Sequence, residues 1–237
     1  MICRDLNLHY SHNTKVEKAY IITVTDNSKS QQYSQRCQAS CDRVGMPWQT
    51  WEAYNGYNNP ITVPGHATNH AVMNILKVTD HYLTRGEVAC ALSHISLWSH
   101  CATIDQPIVI LEHDAVMIQR FEEHSSFNSI IYLGGAEWVK HNWPILNIPP
   151  HATEGPNYHF ICRAHAYSID PTMAKNLLAH VIKHGICAPL DIMLRADLFN
   201  ITHNGVFAYD DGDAALTTIE NRPAEGRTTK RNDRLEY

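Results

Sequence analysis

The sequence predicts an α/β fold of Rossmann type, a mostly parallel central sheet flanked by helices. Three observations carry that expectation. Residues 19–24 and the run Ile108-Val109-Ile110-Leu111 are dominated by β-branched, aliphatic and aromatic side chains, as in strands covered on both faces. Between them Val88, Leu92, Ile95 and Trp98 recur at three- and four-residue spacing, the stripe of a helix packed on such a sheet. Turn and cap residues separate the runs, Thr25-Asp26-Asn27-Ser28 after the first and Gln106-Pro107 before the second.

Taken in order, residues 19–24 form a first buried strand, and a helix beginning after Ser28 or Ser30 carries Tyr33, Cys37 and Cys41 toward Val44 before Gly45-Met46-Pro47 stops it. Residues 48–53 read as a second strand and Asn55-Gly56 as a turn. Residues 60–79 are ambiguous, with Pro64-Gly65 as punctuation and a helical turn or two around Ile75 and Leu76. The next helix has a physical start: Thr84 followed three residues later by Glu87 is a capping box. It ends between Cys101 and Asp105, and the strand 108–111 delivers Glu112-His113-Asp114 at its carboxyl end. Residues 129–133 form a further strand ending at Gly134-Gly135. The proline-rich stretch 140–157 reads as a long loop. Residues 160–169 resume as a strand, Asp170-Pro171 opens a helix running to Gly185, and 189–194 begin another turn or helix.

A chain of 237 residues buries roughly 70–75% of its unfolded surface, enough for one substantial core. We read residues 1–220 as a single domain. Residues 221–237, with Arg222, Arg227, Lys230, Arg231 and Arg234, read as a basic, flexible tail. The formal net charge of -5 provides no global field for nucleic acid, which stays a disfavoured partner. No stretch approaches the ~18 apolar residues of a membrane helix, and Arg4, Asp5 and His9 stand where a secretory signal would be apolar. A cytoplasmic protein is expected, at most peripheral at the inner face of a membrane. Seven cysteines without a CxxC pair suit free thiols. Of the 16 histidines, His66 and His70 lie four apart but lack the glutamate of an HExxH motif.

In open α/β sheets ligands bind beyond the carboxyl ends of the strands, so Glu112 and Asp114 stand where chemistry is done. Alternate carboxylates there can hold a divalent cation against a diphosphate, with His113 turned aside or serving as a third ligand. Asp210-Asp211-Gly212-Asp213 lacks the later glutamate of a calcium loop and reads as a polar turn.

The string Thr84-Arg85-Gly86-Glu87-Val88-Ala89-Cys90-Ala91-Leu92-Ser93-His94-Ile95-Ser96-Leu97-Trp98, followed by 108–114, resembles the signature of glycosyltransferase family 25, which includes bacterial lipooligosaccharide and collagen galactosyltransferases. The opening strand, Ala53-Tyr54-Asn55-Gly56, Ala166-Tyr167-Ser168-Ile169 and Pro189-Leu190-Asp191 extend the likeness over residues 19–195. The resemblance implies a GT-A-like fold, a UDP-sugar donor, Mn²⁺ or Mg²⁺, and inverting transfer of a hexose, galactose or glucose, to a hydroxyl of a surface glycan. It implies donor contacts from Thr23, Arg85, Glu87, His94 and Glu112, and metal ligands in Glu112, His113 and Asp114. Asp191 is the implied base that deprotonates the acceptor, its other reading being a helix N-terminal carboxylate. Arg85 and Glu87 equally suit a helix entrance and its capping box, and His94 a buried histidine bonded to backbone. Two departures stand out: the family has Glu-Asp-Asp where this chain has Glu112-His113-Asp114, and arginine where it has Gln31 and Gln32. Competing expectations are the same chemistry on a modified nucleic-acid base, a non-catalytic nucleotide-sugar binder, and a histidine-rich metallohydrolase.

Overall fold

The structure, a computed structural model, describes residues 13–56, 76–80, 83–135 and 164–210. Its elements are β1 (Ala19–Thr23), α1 (Ser28–Val44), β2 (Trp48–Glu52), α2 (Arg85–Ile104), β3 (Ile108–Glu112), β4 (Ala115–Met117), β5 (Ile130–Gly135), β6 (Ala166–Ile169), α3 (Pro171–His184), α4 (Leu190–Met193) and β7 (Ile201–Asp210). The strands form one sheet in the order β2-β1-β3-β6-β5-β7-β4.

The α/β class holds, but the sheet is mixed rather than mostly parallel. β1 pairs in parallel with β2 and β3, and β5 with β7, whereas β6 runs antiparallel to both β3 and β5, and β4 antiparallel to β7. The reason for the difference is physical: Ala166, Tyr167, Ser168 and Ile169 are all buried, and a strand covered on both faces has no pattern that encodes its direction. Two strands were not foreseen. β4 has three residues, and β7 interrupts its apolar positions with His203, Asn204 and Gly205.

Side-chain alternation divides the core into two layers. Tyr20 and Ile22 of β1 and Ile108 and Ile110 of β3 face α2 and α3, joining Ile95, Trp98, Leu177 and Val181. Ala19, Ile21, Val109 and Leu111 face the other way, toward Cys37 and Cys41 of α1. At about 1.5–3 kcal/mol for each fully buried large aliphatic side chain, these layers hold the sheet between its helices.

Helix starts follow local chemistry. The Asn27 side chain accepts from Ser30 N at 3.0 Å to cap α1, and Asp170 accepts from Thr172 N and Met173 N to cap α3. At α2 the capping box is complete: Thr84 Oγ1 accepts from Glu87 N at 3.1 Å, and Glu87 Oε2 accepts from Thr84 N at 2.9 Å. α1 ends in a Schellman pattern at Gly45, φ 68°, with Gly45 N donating to Asp42 O and Met46 N to Cys41 O. Predicted β2 loses its last residue, β6 begins at Ala166, and residues 160–163 of its predicted span lie outside the described residues. The His66/His70 pair, the loop 140–157, the tail 221–237 and all but the first residue of the turn 210–213 lie outside the described residues. Among the described residues no helix is long and apolar enough to cross a membrane.

Candidate functional site

The parallel half of the sheet, β2-β1-β3, points its carboxyl ends at one cavity, with the first three turns of α2 as its far wall. Asn27 at the start of α1, Tyr54 and Asn55 after β2, Cys90 and His94 on α2, and Glu112-His113-Asp114 after β3 all border it. Gly56 allows this convergence. A Cβ there would stand 2.7 Å from the Arg85 carbonyl oxygen, so only glycine lets the β2 turn reach the start of α2. Ser93 ties the same two elements together, its hydroxyl accepting from Tyr54 N at 2.9 Å and donating to Ala89 O at 2.8 Å.

Glu112 is held from the α2 side. Its Oε1 lies 3.2 Å from His94 Nε2 and 3.8 Å from Cys90 Sγ, residues one helical turn apart on one face. Burial alone would raise this carboxyl, but the hydrogen bond from His94, with His113 and His165 acting in the same direction, holds it below the usual carboxylate range. Asp114 goes the other way. Burial, then the negative charge of Glu112, pushes its pKa up to about 7. Its Oδ1 is buried without a hydrogen-bond partner among the described residues. Two crowded carboxylates, one of them short of a partner, are a donor set that a hard divalent cation satisfies. On this ground the residues fit the implied cation.

The other predicted residues fall into two groups. His94 and Glu112 meet at the cavity; His94 is bonded to side chains, not to backbone. His113 also borders the cavity, with its ring stacked on Tyr33 of α1 at 6.0 Å between centroids and 21° between planes. Asp191, in the first turn of α4, lies close enough to Cys90 for its charge to help raise the thiol pKa, behind burial and Glu112.

The second group makes contacts that hold the elements together. The Thr23 hydroxyl is spent on Ser34 Oγ at 2.8 Å and Ile21 O at 3.2 Å, joining β1 to α1 away from the cavity. Arg85 Nε donates to Gly56 O at 2.6 Å, and Glu87 completes the capping box. At Gln31, where the resemblance implies arginine, the side-chain amide donates to Thr25 O.

Several site residues were not predicted. The Tyr54 hydroxyl is buried without a hydrogen-bond partner among the described residues, and burial pushes its pKa up to about 12. His165 precedes β6 and its carbonyl accepts from Glu112 N at 2.8 Å, which brings its ring within 4.0 Å of Asp210. Tyr167, on β6, faces α2 and reaches His94. Only the pairing of β6 with β3 brings His165 and Tyr167 to this end of the sheet, and no local spacing signals it.

With this geometry in hand, comparison with known proteins is informative. The profile of glycosyltransferase family 25 (LPS biosynthesis protein) matches residues 16–194, well over half of the chain. No curated protein matches the chain.

Proposed function

The chain belongs to glycosyltransferase family 25 and is a glycosyltransferase; from that premise we propose that it moves a hexose, galactose or glucose, with inversion, from a UDP-sugar to a hydroxyl of a surface-glycan precursor. The observation that carries this reading is the carboxylate pair where β3 ends: Glu112 held ionised from α2, and Asp114 buried with an oxygen lacking a partner among the described residues. Glu112 and Asp114 would hold Mn²⁺ or Mg²⁺. When bound there, the cation supplies charge neutralisation for the departing diphosphate.

The remaining work falls to the chain's own groups. The parallel strands β2, β1 and β3 serve as a GT-A-like donor half, with the nucleoside toward Asn27, Tyr54 and Asn55 and the diphosphate toward Glu112 and Asp114. His113, stacked on Tyr33, shapes the wall beside them. Asp191 is the proposed base, removing the acceptor hydroxyl proton as that oxygen attacks the anomeric carbon from the face opposite the diphosphate.

The test is UDP release from UDP-galactose and UDP-glucose with and without Mn²⁺. Asp114→Ala is expected to lower release at least ~100-fold, the scale of losing a charge-stabilising group, while His66→Ala leaves it intact. Equal loss in both variants would overturn the reading. Donor binding without any UDP release in the native chain would make it a binder.

A further inference from the structure

Trp98, Tyr167, His94 and Glu112 form a line of hydrogen bonds from the core to the cavity. Trp98 Nε1 lies 2.9 Å from Tyr167 Oη, Tyr167 Oη lies 2.8 Å from His94 Nδ1, and His94 Nε2 lies 3.2 Å from Glu112 Oε1. Trp98 and Tyr167 are fully buried and His94 is 1% exposed, so water does not compete for these bonds.

The direction of each hydrogen follows from the chemistry of the groups. An indole N–H only donates, so Tyr167 Oη receives it. Burial pushes the Tyr167 pKa well up, so the phenol keeps its hydrogen. Among the described residues the acceptor within its reach is His94 Nδ1. A ring nitrogen that accepts carries no hydrogen, which leaves the imidazole hydrogen on Nε2, facing Glu112.

Cys90 adds a thiol donor to the same carboxylate oxygen. Both contacts fall on Oε1, and Glu112 borders the cavity, so Oε2 is the oxygen left to a ligand. Cys90 Sγ, a nitrogen of His94 and an oxygen of Glu112 lie within 4.8 Å of one another, a spacing that would suit a soft metal ion. An Nε2 that carries a hydrogen has no lone pair to give, so the cluster acts as a clamp instead.

We propose that Tyr167 and Trp98 are positioning residues for the transfer reaction: they fix His94 as an Nε2–H donor, which with Cys90 clamps Oε1 of Glu112 and presents Oε2 to the donor side of the cavity. The purpose of the clamp rests on the reading of Glu112 given above, whereas its geometry does not.

The decisive measurement is the tautomer of His94 in the full-length chain labelled with ¹⁵N-histidine, read from long-range ¹H–¹⁵N correlations at neutral pH and assigned by the signal lost in His94→Gln. A hydrogen on Nε2 and none on Nδ1 is expected. A hydrogen on Nδ1, or on both nitrogens, overturns the proposal whatever the activity, and this needs no variant of the core to fold.

The second arm is the Mn²⁺ activation constant for UDP-sugar turnover. Tyr167→Phe is expected to raise it about 10-fold, the usual effect of removing an outer-shell partner, with a smaller loss at saturating Mn²⁺. His94→Gln, whose amide N–H takes the place of Nε2, is expected to lose less than His94→Ala. Equal losses in those two variants, or an unchanged activation constant in Tyr167→Phe, overturn the proposal. The expected tautomer in a native chain that releases no UDP would overturn the transfer reading instead.

Discussion

Gly56 sets how closely the turn after β2 approaches the start of α2 at the cavity that we propose as the donor site. A Cβ added there would meet the Arg85 carbonyl oxygen at 2.7 Å, its carbon at 2.8 Å and Gly86 N at 2.9 Å. These are backbone atoms of a capped helix start and cannot step aside as a flexible side chain would. Gly56→Ala is expected to destabilise the fold by about 1–3 kcal/mol, the cost of overpacking, and to raise the donor KM by pushing Tyr54 and Asn55 away from α2. Gly45→Ala is the control. It loses an αL cap, φ 68° with nothing near its Cβ, so denaturant melts should report lost stability with donor KM unchanged. Equal KM for the native chain and Gly56→Ala would mean that the β2 turn does not shape the donor site. At this scale the sequence was a good guide where chemistry is local and a poor one where it is not. Glu112 and Asp114 were legible because a continuous apolar run announces a strand and its end. The direction of the Thr23 side chain was not legible, because a hydroxyl at a strand end looks the same whether it faces a cavity or, as here, Ser34.

Among the elements, α2 carries the family signature and the wall of the site together, so its start couples stability to function. Thr84 is buried, its hydroxyl accepts from Glu87 N, and the Glu87 carboxylate returns a bond to Thr84 N. Thr84→Ala is expected to cost about 1 kcal/mol, read as a lower denaturant midpoint at unchanged m-value, and Thr84→Ser to recover most of it. A loss in Thr84→Ser as large as in Thr84→Ala would mean that the methyl's packing, not the cap, holds the helix. Capping boxes, an αL glycine and Pro171 after Asp170 were all readable in advance, because each satisfies backbone groups within a few residues of itself. Strand direction was not, since β6 is buried on both faces and its pairing with β3, Leu111 with Ala166, joins residues far apart in the chain. β7 was invisible for a related reason: it mixes buried Ile201, Thr202, His203 and Ala208 with half-exposed Asn204 and Gly205, following no single period.

For the molecule as a whole, the carboxylate pair makes stability depend on pH, and the direction follows from which group holds the proton. Burial and the charge of Glu112 raise Asp114 from 3.8 to about 7. Between those values the folded chain holds a proton that the unfolded chain has released, so this group's contribution is full below pH 3.8 and lost as pH rises through 7. Asp170 has the opposite sign: burial works against it, but His124 and the backbone N–H groups of Ser129 and Met173 hold it below the usual range. Its stabilisation is therefore present above 3.8 and lost only as pH falls further. His180 and His203, lowered chiefly by burial, make the fold less stable as pH drops below 6.5. Comparing the native chain with Asp114→Asn cancels these other groups. In metal-free buffer the melting temperature of the native chain relative to Asp114→Asn is expected to fall between pH 5.5 and 8, by the equivalent of at most about 1.4 kcal/mol per pH unit. Mn²⁺ should remove that fall, raising the native melting temperature more at pH 8 than at pH 6, because a cation binds the ionised pair and competes with the proton. A difference between the two proteins that stays flat with pH would mean that Asp114 does not share its charge with Glu112 in one buried site. A flat difference that Mn²⁺ also leaves unmoved would remove the carboxylate pair as the place where a donor diphosphate is met.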